Sequence, residues 1–310
     1  MRKYLFRRFL LLGFLLFAVS AGVFFLIHFI PGDPAASILG EGADARQVQQ
    51  LRSELNLDKP LLLQYLDFNR NLLNLSFGKS IYNNKSVSHN ILIYLPNTVY
   101  LALVSMFLSI LISFPLGAWA AFKENTAVDS FVTFSGSLLL AVPNFFLAPL
   151  LIILFSIKLD LLPVSGSGGF TYIILPSLTL AASLSVYLTR IIRGAVGTEL
   201  KKPYVLLARA KGLTPFRVFS RHVLKNSLLP ICTTTGLLLG ALLTGTVVTE
   251  TIFSWQGIGI LLTQSILRRD YPMVQGLIVF ITFVYLVINF IVDLSYFVID
   301  PRIRNEIQAR

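Results

Sequence analysis

Few residues of this sequence have the types and spacing that catalysis requires. Gly78-Lys79-Ser80 matches the end of a phosphate-binding loop, but that motif needs a glycine five positions earlier, where Leu73 stands. Cys232 is the single cysteine, which excludes an internal disulfide. The three histidines are scattered along the chain, so no zinc site or Ser/His/Asp arrangement is indicated: His28, His89 and His222. We therefore expect no catalytic residue, no metal and no cofactor on this chain.

A basic segment at residues 203 to 230 has the best-defined local pattern. Pro203 suits the first turn of a helix and Gly212 the left-handed position that ends one, so a short helix is predicted over residues 203 to 211. Thr214 and Pro215 then provide an N-cap and a first helical residue for a second helix.

The second helix is predicted to be amphipathic. Phe216, Phe219 and Val223 fall on one face, and a basic row follows at four-residue intervals: Arg217, Arg221 and Lys225. Such a segment could rest on anionic lipid headgroups or dock on a protein partner.

Composition indicates the class of protein. Hydrophobic residues make up 55% of the chain and charged residues 13%, with a mean hydropathy of +0.74. Soluble domains carry about 25% charged residues. The net charge of +11 is not gathered on one soluble domain, so a nucleic-acid partner is not expected. We predict an all-α, polytopic membrane protein.

Six segments are long and apolar enough to cross a bilayer, which needs about 20 helical residues. They lie at about residues 9–30, 97–122, 131–157, 172–189, 228–249 and 273–299. A loop at 31–95 and a second loop at 190–227 connect them, within one transmembrane domain over 1–310. Pro115, Pro143, Pro149 and Pro176 are candidate kinks.

Charge distribution predicts the orientation. The chain contains 26 Lys and Arg residues. Seventeen of them lie at the two termini, at position 123 or between residues 190 and 225, and six others lie in the long 31–95 loop. Since basic residues favour the cytoplasmic side and long loops count for little, both termini and the 190–227 loop are predicted to be cytoplasmic. The first apolar run continues past Val19-Ser20-Ala21, too long for a cleaved signal peptide.

Polar residues inside the predicted crossings suggest two interpretations. Asn289 and Asp293 lie one turn apart, and Asp293 could pair with Arg190 or Arg193. Gly236 and Gly240 favour close helix packing, although a polar passage remains an alternative for the same helix. The candidate residues for a translocation path are Thr244, Thr249 and Asn289.

An ordered series of short motifs runs along the chain: Pro31-Gly-Asp-Pro34, Leu95-Pro-Asn-Thr98, Val142-Pro-Asn-Phe-Phe146, Leu162-Pro-Val-Ser-Gly166, Leu175-Pro-Ser-Leu-Thr-Leu180, Ile252-Phe-Ser-Trp-Gln-Gly-Ile-Gly259, Arg269-Asp-Tyr-Pro272 and Asp300-Pro-Arg302. In this order the motifs resemble those of the permease subunits of ATP-binding-cassette (ABC) importers of the dipeptide/oligopeptide/nickel family, specifically the first, peptide-type permease. The resemblance runs from Met1 to about Arg304.

The resemblance implies that the basic segment is the family's coupling loop, the EAA loop, which docks on the ATPase subunit. Ala208-Arg-Ala-Lys-Gly212 is similar to the peptide-type version, while Leu206 stands where the broader superfamily has glutamate. Gln256 replaces the proline expected in an external turn. The implied ATPase contacts are Leu207, Ala208, Arg209, Lys211, Gly212, Leu213, Phe216 and Arg217.

The implied activity is that of a type I ABC importer permease in the bacterial inner membrane. It forms half of a path for di- or oligopeptides, with a nickel chelate, glutathione or another peptide-like solute as the alternative. Implied partners are a second, homologous permease, two cytoplasmic ATP-binding subunits carrying ATP and Mg²⁺, and an extracytoplasmic binding protein, with lipid around the chain. A secondary transporter is less favoured, because it would need ion-coupling carboxylates or broken helices near the midplane and only Asp293 comes close, at the wrong depth. A membrane scaffold is less favoured because it would not need the Gly-hinged basic loop.

Overall fold

The chain is almost entirely helical in a computed structural model that describes residues 2–29, 35, 39, 44–54, 57–74 and 76–299. The Pro31-Gly-Asp-Pro34 and Asp300-Pro-Arg302 motifs lie outside the described residues, as does the side chain of His28. The helices are α1 (Arg2–Phe29), α2 (Ala45–Glu54), α3 (Leu61–Leu73), α4 (Val87–Phe122), α5 (Ala127–Ala141), α6 (Asn144–Leu151), α7 (Phe170–Leu200), α8 (Pro203–Ala210), α9 (Pro215–Val218), α10 (Leu224–Gly245), α11 (Val247–Ile252), α12 (Ile258–Leu267) and α13 (Tyr271–Ile299).

Five described helical runs are long and apolar enough to span a membrane, and a sixth span is present if a bent pair counts as one. The bent pair is α5 with the run Asn144–Lys158, which meet at 93°. The predicted single crossing at 131–157 is therefore broken. Pro143 explains the break, because its ring fixes φ at −64° and it has no N–H to continue the helix. Pro149 and Pro176, by contrast, lie within helices α6 and α7.

The predicted 190–227 loop is mostly helical. Helix α7 continues beyond residue 189 to Leu200, because Ile192 and Val196 keep a buried face at four-residue spacing. After α9, a π-helical turn at Phe219–Val223 leads directly into α10. The true connection is therefore the short stretch between Leu200 and Pro215, and α8 is its only helix.

Two compact units make up the described chain. The larger unit contains Val99–Trp255 and the segment that begins at Val287, and the smaller unit contains Arg2–Thr98 and Gln256–Leu286. The core of the larger unit joins buried residues of α7, α8, the π-helical turn and α10: Leu188, Ile192, Val196, Val205, Ala208, Val218, Val223, Ile231 and Leu242. The core of the smaller unit is formed by Val87, Ile91, Ile258, Leu261, Met273 and Leu277.

Glycine permits close helix packing inside the larger unit. A Cβ added at Gly236 would collide with Val292, so α10 and the end of α13 meet there at short range. A Cβ at Gly117 would lie 2.8 Å from the Thr189 carbonyl oxygen. The packing interpretation of Gly236 is confirmed, and it needs no passage at that position.

Candidate coupling site

Helix α8 begins and ends where the sequence predicted. Pro203 occupies its first turn, and Gly212 adopts φ +80° directly after its C-cap. The Gly212 N–H donates to the Arg209 carbonyl at 2.9 Å, and the Leu213 N–H donates to the Ala208 carbonyl at 3.3 Å. These two hydrogen bonds form a Schellman motif, which satisfies carbonyls that the helix end would otherwise leave free.

The start of the next helix is only partly as predicted. Thr214 is extended and Pro215 occupies the first turn, but the Thr214 side chain makes no capping hydrogen bond. Phe216 is 79% exposed whereas Val223 is fully buried, so the predicted common face with Phe219 is wrong. The π-helical turn shifts the register between Phe216 and Val223, and Phe219 packs on Phe122 with ring centroids 5.2 Å apart.

Six large side chains on or beside α8 point away from the larger unit. Leu206 and Leu207 are 61% and 58% exposed. We call this set the α8 surface: Leu206, Leu207, Arg209, Lys211, Phe216 and Arg217. It combines apolar area with three cations, two of which are arginines, a residue type enriched at interface hot spots. Gly212 lies beside it with open space around its Cα.

Two of the predicted contact residues point inward. Ala208 is buried, and Leu213 is half-buried against the core that contains Ala208. Both side chains hold α8 on the larger unit and offer little area to a partner, because the helix needs one face for its own packing. The side chain of Leu206, by contrast, is exposed and available to a partner. In the sequence alone, Leu206 is notable only because it stands where the superfamily has glutamate.

A polar cluster beneath α8 connects three elements. The buried carboxylate of Glu199, in the last turn of α7, accepts hydrogen bonds from the Tyr204 hydroxyl and from Lys202 Nζ, the latter at 2.5 Å. Asn226 Nδ2, near the start of α10, donates to the Tyr204 oxygen at 3.0 Å. Burial, followed by the Glu199 hydrogen bond, raises the pKa of the Tyr204 phenol, so this hydroxyl stays protonated. Sequence reasoning missed the cluster because its members are ordinary polar residues separated by several positions.

A cavity of about 980 Å³ lies between α7 and α10. Its lining includes Arg190, Lys225 and the whole Glu199 cluster. α8 therefore lies beside a space whose walls are the two long helices that flank it in sequence.

Ion pairs hold α7 on its other side. The Arg193 guanidinium binds both carboxylate oxygens of Asp129, which is buried in the first turn of α5, and Lys201 pairs with Glu124 at 2.8 Å. The interpretation that Arg193 pairs with Asp293 is wrong, because Arg193 Nε and Nη2 both donate to Asp129 on the adjacent helix. Arg190 instead donates to the Ser137 hydroxyl at 2.9 Å.

The three candidate path residues have separate environments. The Thr244 hydroxyl donates to the Ala241 carbonyl at 3.0 Å and is thus used within its own helix. Thr249 is only 3% exposed, a position that presents no hydroxyl to a passage. Asn289 Oδ1 is buried without a hydrogen-bond partner among the described residues. The structure does not bring these residues together at the α7–α10 cavity.

In the smaller unit, Gly78-Lys79-Ser80 has a structural role. The Ser80 hydroxyl and the Ile81 N–H donate to the buried carboxylate of Asp270, the N–H at 3.2 Å. Asp270 also accepts from the Met273 N–H at 3.3 Å, and so caps α13. The described residues contain no group of three His, Cys, Asp or Glu side chains that could hold a metal ion.

The Leu95-Pro-Asn-Thr98 motif also has a structural explanation. The Ile258 N–H donates to the Thr98 hydroxyl at 2.8 Å, and Asn97 Nδ2 donates to the Gln256 carbonyl at 2.7 Å. Because Gln256 contributes only its backbone here, its replacement of proline leaves this contact intact.

Comparison of the sequence with known proteins identifies the family of this chain and two of its relatives. A family model described as "Binding-protein-dependent transport system inner membrane component" matches residues 113–305, and its N-terminal companion matches residues 1–102. The glutathione transport system permease protein GsiC of Escherichia coli K12 is 36% identical over 307 residues, 98% of this chain and 99% of that protein. A probable peptide ABC transporter permease protein, y4tP of Sinorhizobium fredii, is 35% identical over 92% of this chain and 94% of its own length.

Two solved structures share the fold at low sequence identity. A chain of the inward-facing MetNI methionine ABC transporter superposes with a TM-score of 0.58 at 16% identity, covering 68% of this chain and 96% of that one. A chain of an amino acid ABC transporter gives a TM-score of 0.53 at 15% identity, with coverages of 67% and 93%.

Proposed function

This chain belongs to the family of inner membrane components of binding-protein-dependent transport systems, and on that premise we propose that it carries peptides or peptide-like solutes such as glutathione into the bacterial cell. The observation that carries the substrate class is full-length similarity at 36% and 35% identity to a glutathione permease and a probable peptide permease. Glutathione is itself a short peptide, so the two relatives indicate one chemical class of cargo.

The proposed assembly places this chain beside a second, homologous permease, so that each contributes half of the path. Two cytoplasmic ATPase subunits hold ATP and Mg²⁺, and a binding protein delivers cargo at the outer face. Both termini of this chain are on the cytoplasmic side in this proposal, as the distribution of Lys and Arg favours.

Within this assembly the α8 surface is the contact for the ATPase. Leu207 and Phe216 supply apolar area for burial, and Arg209, Lys211 and Arg217 supply cations that orient the partner. Exposed leucines and a phenylalanine at a predicted cytoplasmic surface are better explained by a protein groove than by water. The Schellman motif at Gly212 fixes the angle at which this surface is presented.

Charge reversal tests the proposal directly. Arg209→Glu should preserve membrane insertion but weaken co-purification of the ATPase, and should lower ATP-dependent uptake of glutathione and of a dipeptide by about tenfold or more. The measurement is uptake into proteoliposomes containing the complex with its binding protein, together with ATPase recovery on an affinity column.

Lys158→Glu is the matched control, since it makes the same change at an exposed lysine at the end of the π-helical turn after α6. It should retain both ATPase and uptake. Equal loss in both variants, or normal uptake by Arg209→Glu, would contradict the proposed contact. Failure of the unaltered complex to take up either solute would contradict the proposed substrate class.

A further inference from the structure

The Tyr204 hydroxyl connects α8 to both neighbouring long helices at once. It donates to Glu199 at the end of α7 and accepts from Asn226 Nδ2 at the start of α10, at 3.0 Å. Within the described residues, no other side chain of α8 makes hydrogen bonds to both of these helices. A single oxygen is therefore the polar junction of three helices.

The remaining attachments of α8 are of another kind. Val205 and Ala208 pack in the apolar core of the larger unit, and such contacts are non-directional, so small sliding displacements change them little. A hydrogen bond to a buried carboxylate is directional and weakens steeply when its angle or length changes. A displacement of α8 is therefore transmitted to α7 and α10 mainly through the hydrogen bonds of Tyr204.

Charge balance allows the junction to persist at a buried position. Glu199 is only 8% exposed, and Lys202 places its ammonium 2.5 Å from the second carboxylate oxygen. The Lys202 ammonium supplies the opposite charge and the hydrogen bond that a buried carboxylate needs. Lys202 belongs to the connection before α8, so it moves with the same segment.

A displacement of α8 would change the cavity between α7 and α10. Glu199, Tyr204 and Asn226 all line the space of about 980 Å³ whose walls are α7 and α10. Pulling on the Tyr204 oxygen acts on one residue of each wall. The width of this space is therefore linked to the position of α8.

We propose that Tyr204 is a positioning residue that converts movement of α8 by the ATPase into opening and closing of the space between α7 and α10. The inference rests on the proposed function, in which α8 is the ATPase contact. Tyr204 touches neither cargo nor nucleotide in this proposal; it acts through Glu199 and Asn226.

Tyr204→Phe tests the inference, because it removes the hydroxyl and keeps the ring. The full complex in proteoliposomes should retain ATPase co-purification and ATP hydrolysis, while glutathione or dipeptide uptake per ATP hydrolysed falls about tenfold or more, as expected for loss of a hydrogen bond to a charged group. Tyr100→Phe is the matched control, since that ring stacks on Trp255 in the same unit and should keep the wild-type ratio.

A cargo-independent readout separates the inference from the proposed function. In a Cys232→Ser background, a bismaleimide should cross-link Thr198→Cys to Leu229→Cys, two positions that line the cavity from α7 and α10, at a rate that changes when a non-hydrolysable ATP analogue is added. Adding Tyr204→Phe should abolish that change. If the nucleotide analogue changes the cross-linking rate equally with Tyr204 and with Phe at this position, the inference alone is overturned. If the analogue does not change the rate in the variant that keeps Tyr204, the proposed function is overturned and the inference with it.

A double-mutant cycle checks that the effect passes through the carboxylate. Glu199→Leu, which removes the acceptor oxygens and keeps a side chain of similar size, should alone lower uptake per ATP. Adding Tyr204→Phe should lower it little further, because both changes break the same connection. Additive losses would show that Tyr204 acts by another route and would overturn the inference.

Discussion

Two buried carboxylates, Asp270 in the smaller unit and Glu199 in the larger unit, organise their surroundings in different ways. Asp270 accepts from two backbone N–H groups, of Ile81 and Met273, and from the Ser80 hydroxyl. Glu199 accepts from two side chains, Tyr204 and Lys202, and reaches α10 only through the Tyr204 oxygen.

The difference in donors indicates a difference in what each carboxylate connects. Backbone donors cannot rotate away without unwinding the chain, so the Asp270 site is a fixed anchor that holds the segment around Ser80 against the start of α13. The donors to Glu199 are side chains of the segment that carries α8, so this directional hydrogen bond can pass a movement of α8 on to α7. The first arrangement suits a rigid part of a transporter and the second a moving part.

The largest effect on stability is expected at the anchor. Asp270→Ala removes a helix cap and leaves buried donors without an acceptor, and should lower the free energy of unfolding by about 3 kcal/mol. The measurement is denaturant unfolding of the detergent-solubilised protein. Asp67→Ala, which breaks only an exposed ion pair with Lys59, should lower it by at most about 1 kcal/mol. Similar losses in both variants would refute the assignment of Asp270 as an anchor.

A smaller effect is expected at two glycines, one in each unit. Gly78 and Gly212 have φ of +84° and +80°, and an added Cβ would meet only Pro272 at 3.7 Å or open space. Gly78→Ala and Gly212→Ala should each lower the free energy of unfolding by about 1 kcal/mol through backbone strain alone. Asparagine, which tolerates this conformation, should restore part of the loss at either site.

The two glycine variants should differ in transport. Gly212→Ala changes the angle at which α8 is presented, and a bulkier residue there should uncouple uptake from ATP hydrolysis further, while Gly78→Ala should leave uptake per ATP unchanged. Uptake and phosphate release measured in the same vesicles give this ratio. A loss of coupling at Gly78 equal to that at Gly212 would contradict the distinction between anchor and moving part.

Local patterns in the sequence predicted the parts of the fold that depend on few residues. Helix α8 begins at Pro203 because proline fixes φ, and it ends before Gly212 because glycine readily adopts the left-handed conformation. The apolar spans follow from composition. Pro143 was one of four candidate kinks, but the sequence did not predict that it would break a crossing by 93°, since a proline can kink, break or be tolerated according to its neighbours. The length of α7 was not predicted either. Pro176 inside α7 shows the tolerated case.

The site was harder to predict than the fold. Whether Ala208 and Leu213 face a partner or the core depends on the helical phase relative to α7 and α10, which the sequence of α8 alone does not determine. The Arg193–Asp129 pair joins residues 64 positions apart, and Tyr204 and Asn226 are separated by 22 positions and a π-helical turn. Such contacts follow from tertiary packing, which leaves no signature in residue spacing.

Site-specific cross-linking tests the central claim, that the α8 surface contacts the ATPase, most directly. In a Cys232→Ser background, single cysteines at Leu207 and at Val205 compare an exposed and a buried position on the same helix. We predict that Leu207→Cys cross-links to the co-purified ATPase and that Val205→Cys does not. Absence of a cross-link from Leu207→Cys in a complex that retains its ATPase, or an equal yield from both positions, would contradict the account.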